Sequence, residues 1–229
     1  YTATILLNEE ATRQRVIDEI TDVATSLQAG DTFLLTYSGH GGSVPDYSRD
    51  EKQDGKDETW CLFDGQLIDD ELKSLWINFA EGVRVFVISD SCHSGSVTKD
   101  ALNKDILYTD MAPRMLPQEL TERVFSKNAD FYSDALSANG GSTSQSQSDI
   151  KATILLISGC QDNQYSYDGD YNGAFTSQLK RVWGRGSFGG NYRQFHKQIL
   201  SVMPAYQSPN YSVIGASNPD FESEVPFTN

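Results

Sequence analysis

The sequence predicts an α/β fold with a mostly parallel central sheet flanked by helices. Three short runs, residues 32–37, 83–89 and 153–158, are almost wholly apolar, β-branched or aromatic. Strands covered on both faces read this way, because neither face needs polar residues. Between the runs lie segments with apolar residues at helical spacing, and strands alternating with such helices give a parallel sheet.

Taken in order, Thr4-Ile5-Leu6-Leu7 reads as a short buried strand, with Asn8 able to cap the next helix and Glu9 and Glu10 suited to its first turn. Val16, Ile17, Ile20, Val23, Ala24 and Leu27 mark that helix, and Gly30 stops it. The strand 32–37 follows, then a polar stretch from Ser43 to Glu58. Trp60-Cys61-Leu62-Phe63 before Asp64-Gly65 predicts one arm of a hairpin. Ile68, Leu72, Leu75, Trp76 and Phe79 mark a second helix closed by Gly82, and the strand 83–89 comes next. From Ser96 to about Ile150 regularity is poor, and residues 137–148, nearly all small and polar, predict a mobile loop of about 126–150. After the strand 153–158, Phe175, Leu179 and Val182 mark one helix, and Tyr192, Phe195, Ile199 and Met203 another that Pro204 ends. Tyr211-Ser212-Val213-Ile214 can add a last strand. The expected organisation is one domain, residues 1–216, with an irregular tail at 217–229.

The chain's 229 residues suffice for a sizeable core. No apolar stretch approaches the length of a membrane span, so no membrane partner is expected. Eighteen basic against thirty-two acidic residues give a net charge of −14, which excludes nucleic acid as a natural partner. Such a surface favours solubility and cationic partners, either basic peptides or a hard cation such as calcium. Three widely spaced cysteines, Cys61, Cys92 and Cys160, suggest neither a disulfide framework nor a zinc site. A reducing compartment, the cytoplasm, is their simplest home.

Two loops carry the chemistry. The strand 32–37 runs into Ser38-Gly39-His40-Gly41-Gly42, and the strand 83–89 into Asp90-Ser91-Cys92-His93-Ser94-Gly95. Sites in open parallel sheets form beyond the carboxyl ends of the strands, so His40 and Cys92 are delivered to one end. An imidazole that takes the thiol proton leaves a thiolate able to attack carbonyl carbon. Gly41 and Gly95 remove side chains where a substrate carbonyl must approach, and the backbone N–H groups of Gly41 and Cys92 are candidates for an oxyanion hole. A lone cysteine or histidine is more often structural, but the two together in glycine-bearing strand-end loops point to catalysis.

Tyr37-Ser38-Gly39-His40-Gly41 and Asp90-Ser91-Cys92-His93-Ser94-Gly95 resemble the two catalytic motifs of metacaspases, including their bacterial relatives, within the caspase-like cysteine peptidases. The likeness extends through Asp57-Glu58-Thr59-Trp60, the Asp69-Asp70 pair and Ile157-Ser158-Gly159-Cys160-Gln161-Asp162. It implies a three-layer caspase-like fold, His40 as general base and Cys92 as nucleophile in a cysteine endopeptidase, and a monomer. His93 is not the base in that family. His196, on a predicted helix beside Phe195, reads as structural.

Specificity follows from charge. Asp90, two residues before Cys92, would attract Arg or Lys at P1 and repel Asp. Metacaspases use the matching aspartate in that way, and Ser38 lines the pocket by the same resemblance. The plainer reading of Asp90 is a carboxylate that caps local backbone N–H groups. The resemblance also implies calcium, with Asp69 and Asp70 matching two ligands and Asp100 near a third, and carboxylates suit that ion. Equally, Asp69 and Asp70 read as acids in a helix's first turn. No cofactor is required for the chemistry itself. Self-processing is expected at Arg123, Lys127 or Lys151, around the mobile loop.

The family's domain ordinarily opens with a further strand and helix that are absent from the sequence given; either a cleaved N-terminal segment is a partner, or the sequence given starts inside the domain. Peptide or protein substrates with Arg or Lys at P1 are the others. Competing readings are a catalytically silent scaffold of the same fold, a cysteine amidase or transpeptidase, and an Asp-specific caspase.

Overall fold

The computed structural model describes residues 2–46, 55–91, 114–130, 132, 149–160, 173–205 and 207–228. Its main sheet contains β1 (Thr32–Ser38), β5 (Arg84–Asp90), β6 (Thr153–Ser158) and β7 (Asn210–Gly215), in that spatial order. β1, β5 and β6 are parallel and β7 runs antiparallel on β6. A smaller antiparallel sheet contains β2 (Gly41–Pro45), β3 (Lys56–Cys61) and β4 (Gln66–Ile68). The helices are α1 (Arg13–Ser26), α2 (Asp69–Trp76), α3 (Gln118–Lys127), α4 (Ala174–Trp183), α5 (Tyr192–Val202) and α6 (Pro219–Ser223).

The three layers follow from residue parity along the strands, because successive side chains point to opposite faces. Val85 and Val87 of β5 and Ile154 of β6 enter one core with Ile20 and Ala24 of α1 and Leu75 and Trp76 of α2. Their neighbours Phe86, Ile88, Leu155 and Ile157 enter the other, against Phe175 and Leu179 of α4 and Tyr192, Phe195 and Ile199 of α5. Phe86 meets Tyr192 edge-on with ring centres 4.8 Å apart. The expected unalternating apolar strands are thus explained by two cores on one sheet.

Several elements differ from the sequence reading. Thr4–Leu7 is not a strand, and Ile5 and Leu7 are 71% and 63% exposed. Extended chain becomes a strand only where a neighbour accepts its ladder, and among the described residues none pairs with this segment. Asn8–Glu10 is a 3₁₀ turn, and the cap of α1 is Thr12, whose side chain accepts from the Arg15 amide. Within the polar stretch, Gly41–Pro45 forms β2, held by pairing to β3 despite its poor strand composition.

The supposedly irregular region contains α3. Arg123 and Lys127 lie on that helix, and Tyr132 beyond it is fully buried, its ring stacked on Phe125 at 4.7 Å. The chain is therefore folded well past residue 126; the stretch 133–148 lies outside the described residues. The tail is not irregular either. Phe221 of α6 is 1% exposed, Phe227 packs on the α4–α5 core, and Glu224 pairs with Arg84 at 2.7 Å.

α1 and α2 are tied by a buried ion pair between Arg13 and Glu71. Burial lowers the Arg13 guanidinium from its ordinary value, the cost of drying a cation. Glu71 also accepts from the Ile68 amide at 3.1 Å, and Asp64 accepts from the Arg13 amide at 2.7 Å. Removing one partner leaves the other charge buried. Arg13→Met is expected to cost about 3–5 kcal/mol, read as a lowered urea midpoint at unchanged slope.

Candidate active site

The parallel register of β1 and β5 places Tyr37 opposite Ser89 and Ser38 opposite Asp90, at the carboxyl ends of both strands. The Gly39 amide continues the ladder onto the Asp90 carbonyl at 3.3 Å. One residue further, His40 is exposed at the rim, while Gly41 is buried as the first residue of β2.

The main chain of His40 is held from beneath. Its carbonyl accepts from the Cys61 amide at 2.9 Å and lies 2.7 Å from the Tyr37 hydroxyl, which also reaches the Cys61 carbonyl at 3.0 Å. Tyr37 stacks on Trp60 with ring centres 4.5 Å apart and planes 13° from parallel. Burial raises the Tyr37 phenol, so it stays a neutral donor. Trp60 in turn donates to the Ser89 hydroxyl at 3.0 Å, and Ser89 lies 2.9 Å from Ser91. A chain of aromatic and hydroxyl contacts thus links the histidine loop to the end of β5. The end of β6 joins it: the Gly159 amide donates to the Ser89 carbonyl at 2.8 Å, and the Cys160 thiol reaches the Ser91 carbonyl at 3.4 Å.

Asp90 is 1% exposed. Its carboxylate accepts from the amide of Thr176 at 3.2 Å and from the Thr176 hydroxyl, in the first turn of α4, where the helix dipole favours an anion. Asp90 thus caps a helix far away in sequence, and not the local backbone N–H groups of the plainer reading. A Cβ on Gly173 would collide with the buried Asp90 carboxylate, so any larger residue there would displace it. Arg114 approaches from the other side. Its guanidinium lies 3.5 Å from the carboxylate, donates to the Asp90 carbonyl at 3.0 Å, and donates to the Ser38 hydroxyl at 2.7 Å. The two pocket residues drawn from the sequence meet on one guanidinium.

Cys92, His93, Gly95 and Asp100 lie outside the described residues. His196 bonds the Pro209 carbonyl at 2.9 Å and faces Tyr211, a structural setting. Cys61 and Cys160 are free thiols; burial pushes the Cys61 thiol up to about 11, away from nucleophilic use. Asp69 and Asp70 open α2, and Lys73 lies 2.9 Å from the first and 3.1 Å from the second. Burial alone would lower the Lys73 ammonium, but the two carboxylates raise it above its ordinary value. A lysine standing where a cation would sit does not fit a calcium site, and the described residues contain no cluster of three or more His, Cys, Asp or Glu able to hold a metal. Sequence reasoning missed Thr176, Gly173 and Arg114. Glycine before a helical pattern hinted at Gly173, but nothing local marked the other two.

Comparison with known proteins agrees with this geometry. The caspase domain profile matches residues 2–225. Metacaspase-1 of Schizosaccharomyces pombe is 30% identical over 190 residues, which cover 73% of this chain and 44% of the relative. Metacaspase-1 of Candida albicans is 25% identical over 238 residues, covering 91% of this chain and 53% of the relative. The chain thus spans about half the length of these relatives. Among solved structures, protein GSU0716 of Geobacter sulfurreducens superposes with a TM-score of 0.85 at 51% identity, covering 98% of this chain and 81% of that one. With the profile matched along nearly its whole length, the chain belongs to the caspase domain family.

Proposed function

We propose that this protein is a cysteine endopeptidase that cuts peptide bonds after arginine or lysine. The observation that carries the reading is the guanidinium of Arg114 held between Asp90 and Ser38 at the mouth of the parallel sheet. A buried carboxylate takes a cationic side chain readily and rejects an anionic one, since like charges in a dry site cost several kcal/mol.

The chemistry assigned to the residues is as follows. The Cys92 thiol gives its proton to the His40 imidazole, and the thiolate attacks the carbonyl carbon after the basic residue. Charge developing on the carbonyl oxygen is met by the backbone N–H groups of Gly41 and Cys92. His40 then returns the proton to the leaving amine, and water hydrolyses the thioester. The Tyr37, Cys61 and Trp60 contacts serve by fixing the main chain of His40, so that its ring and the Gly41 amide are presented together. No metal takes part in any step. The free thiols of Cys61 and Cys160 suit a reducing compartment, and we place the protein there.

Hydrolysis of matched fluorogenic peptides with Arg or Asp at P1, by the full-length protein and its Cys92→Ala variant, tests the reading. Cleavage of the Arg peptide alone, abolished in the variant, is expected. Cleavage after Asp would overturn the pocket assignment, and activity surviving in Cys92→Ala would overturn the nucleophile. Asp90→Asn keeps the size of the side chain and removes its charge; kcat/KM on the Arg peptide is expected to fall about 10–100-fold, the worth of a charge-assisted hydrogen bond. With Lys73 holding Asp69 and Asp70, a calcium chelator should leave the rate on the Arg peptide unchanged. Reactivation by added calcium after chelation would show that this ion pair yields to the metal.

A further inference from the structure

Charge is unevenly divided between the two helical layers. Helices α1 and α2 contain six acidic residues against three basic ones. No acidic residue occurs between Asp170 and Asp220, a span that includes α4, α5 and β7. Five basic residues fall within it: Lys180, Arg181, Arg185, Arg193 and Lys197. On a chain of net charge −14 this layer is cationic, and the rest is more acidic still. The two helix pairs pack on opposite faces of the main sheet, so the two charges face opposite ways.

The basic residues gather at one end of their layer. α4 starts beside Asp90, at the carboxyl ends of the parallel strands, and runs away from it. α5 runs back, since Gln207 beyond it reaches the Gly159 carbonyl just after β6. The α4–α5 turn therefore lies at the far end of the sheet from the pocket. Lys180 and Arg181 are in the last turn of α4, Arg185 is in the connection, and Arg193 and Lys197 are in the first two turns of α5. All five are exposed. Arg193 pairs with Glu222 at 3.1 Å, and the other four make no ion pair among the described residues.

Local needs explain only part of this. Lys180 and Arg181 complement the dipole at the end of α4, but Lys197 lies inside its helix. Arg185 has φ +57°, between Gly184 at +56° and Gly186 at +90°, where glycine costs less. An arginine there is disfavoured by its backbone, so what the position gains is the guanidinium. The same turn forms an open cleft of about 610 Å³ whose lining includes Ser187, Phe188, Gln194 and Gln198. The Gln194 side-chain oxygen accepts from the Asn191 amide at 2.9 Å, which leaves its NH₂ group as a donor.

We propose that the α4–α5 turn docks an acidic linear segment of the protein's substrates, at a distance from the bond that is cut. Donors in the cleft and cations around it suit an extended run of Asp or Glu. A long polyanion such as nucleic acid would overrun the patch onto acidic surface and be repelled. The seven residues of β5 set the distance to the pocket at roughly 23 Å, which about ten residues of extended linker span. A substrate held at the turn is concentrated at the pocket, which lowers KM and leaves kcat unchanged. That the docked segment belongs to a substrate rests on the peptidase reading above; the docking surface does not.

The test measures fluorescence anisotropy of a labelled peptide alternating Glu and Gly, added to the full-length protein. Binding is expected, weakening as salt rises from about 0.05 to 0.5 M. The double variant Arg181→Glu/Arg185→Glu should lose about tenfold or more in affinity. Arg123→Glu/Lys127→Glu, exposed on α3, changes the net charge equally and should bind as wild type. Arg185→Gly should weaken binding about two- to threefold without lowering the urea midpoint, since glycine suits that backbone. Equal losses in the two double variants, or no binding at low salt, overturn the docking site. Tighter binding of a single-stranded oligonucleotide overturns the choice of an acidic peptide. A concentration-dependent oligomer that Arg181→Glu/Arg185→Glu dissolves assigns the patch to a second copy and overturns it as well. For substrates, a P1 Arg peptide joined to the acidic run by about ten linker residues should show a lower KM than one with a neutral tail, and the α4 double variant should erase the difference. Equal KM values overturn the substrate role. Docking that persists in a protein silent on every peptide overturns the peptidase reading and leaves the docking surface standing.

Discussion

The parallel register of β1 on β5 is the constraint on which the active end of the molecule depends. It sets Ser38 beside Asp90, and from there each loop leaves the sheet at the same height. A slip of one residue would turn Asp90 to the opposite face, away from Thr176 and into the α1–α2 core. Such a slip is opposed by every apolar residue of β5, since Val85, Val87, Phe86 and Ile88 would all change cores together. The setting of Asp90 is therefore underwritten by hydrophobic packing some distance below it.

Around that register, the smaller sheet supplies the rigidity that the loops lack. β3 pairs with β2, so that the first residue after His40 is already part of a ladder. Trp60 reaches across to β5 through Ser89 and carries Tyr37 on its face. The histidine loop is clamped between two sheets, which is how a glycine-rich segment holds one position without side chains of its own.

The parts of the fold legible in the sequence were those whose environment repeats with a period. β5 and β6 could be read because both faces of each are dry, and α1, α4 and α5 because each has one apolar stripe. Residues 4–7 have the same apolar composition as a strand, yet they lack a partner among the described residues, and pairing cannot be read from one segment alone. α3 was hidden by a thin stripe in which a threonine, Thr121, takes a buried place. At the site, His40, Ser38 and Asp90 could be named because their loops carry local motifs. Thr176 and Arg114 reach Asp90 only through the tertiary fold, with no nearby pattern to announce them.

Gln66 shows how separate stretches of chain are bound into one body. Its amide nitrogen on the main chain meets the Tyr132 hydroxyl at 3.0 Å, its side chain meets the Thr121 carbonyl, and Thr59 donates to its side-chain oxygen at 2.8 Å. β5 and β6, likewise, are neighbours in space on either side of a long sequence interval. A polypeptide severed anywhere in that interval would still share one sheet, and one severed before Thr121 would share the hydrogen-bonded hub as well. Its two pieces would travel as a single particle in gel filtration and part only in denaturant, so integrity of the particle and integrity of the chain are separate properties of this molecule.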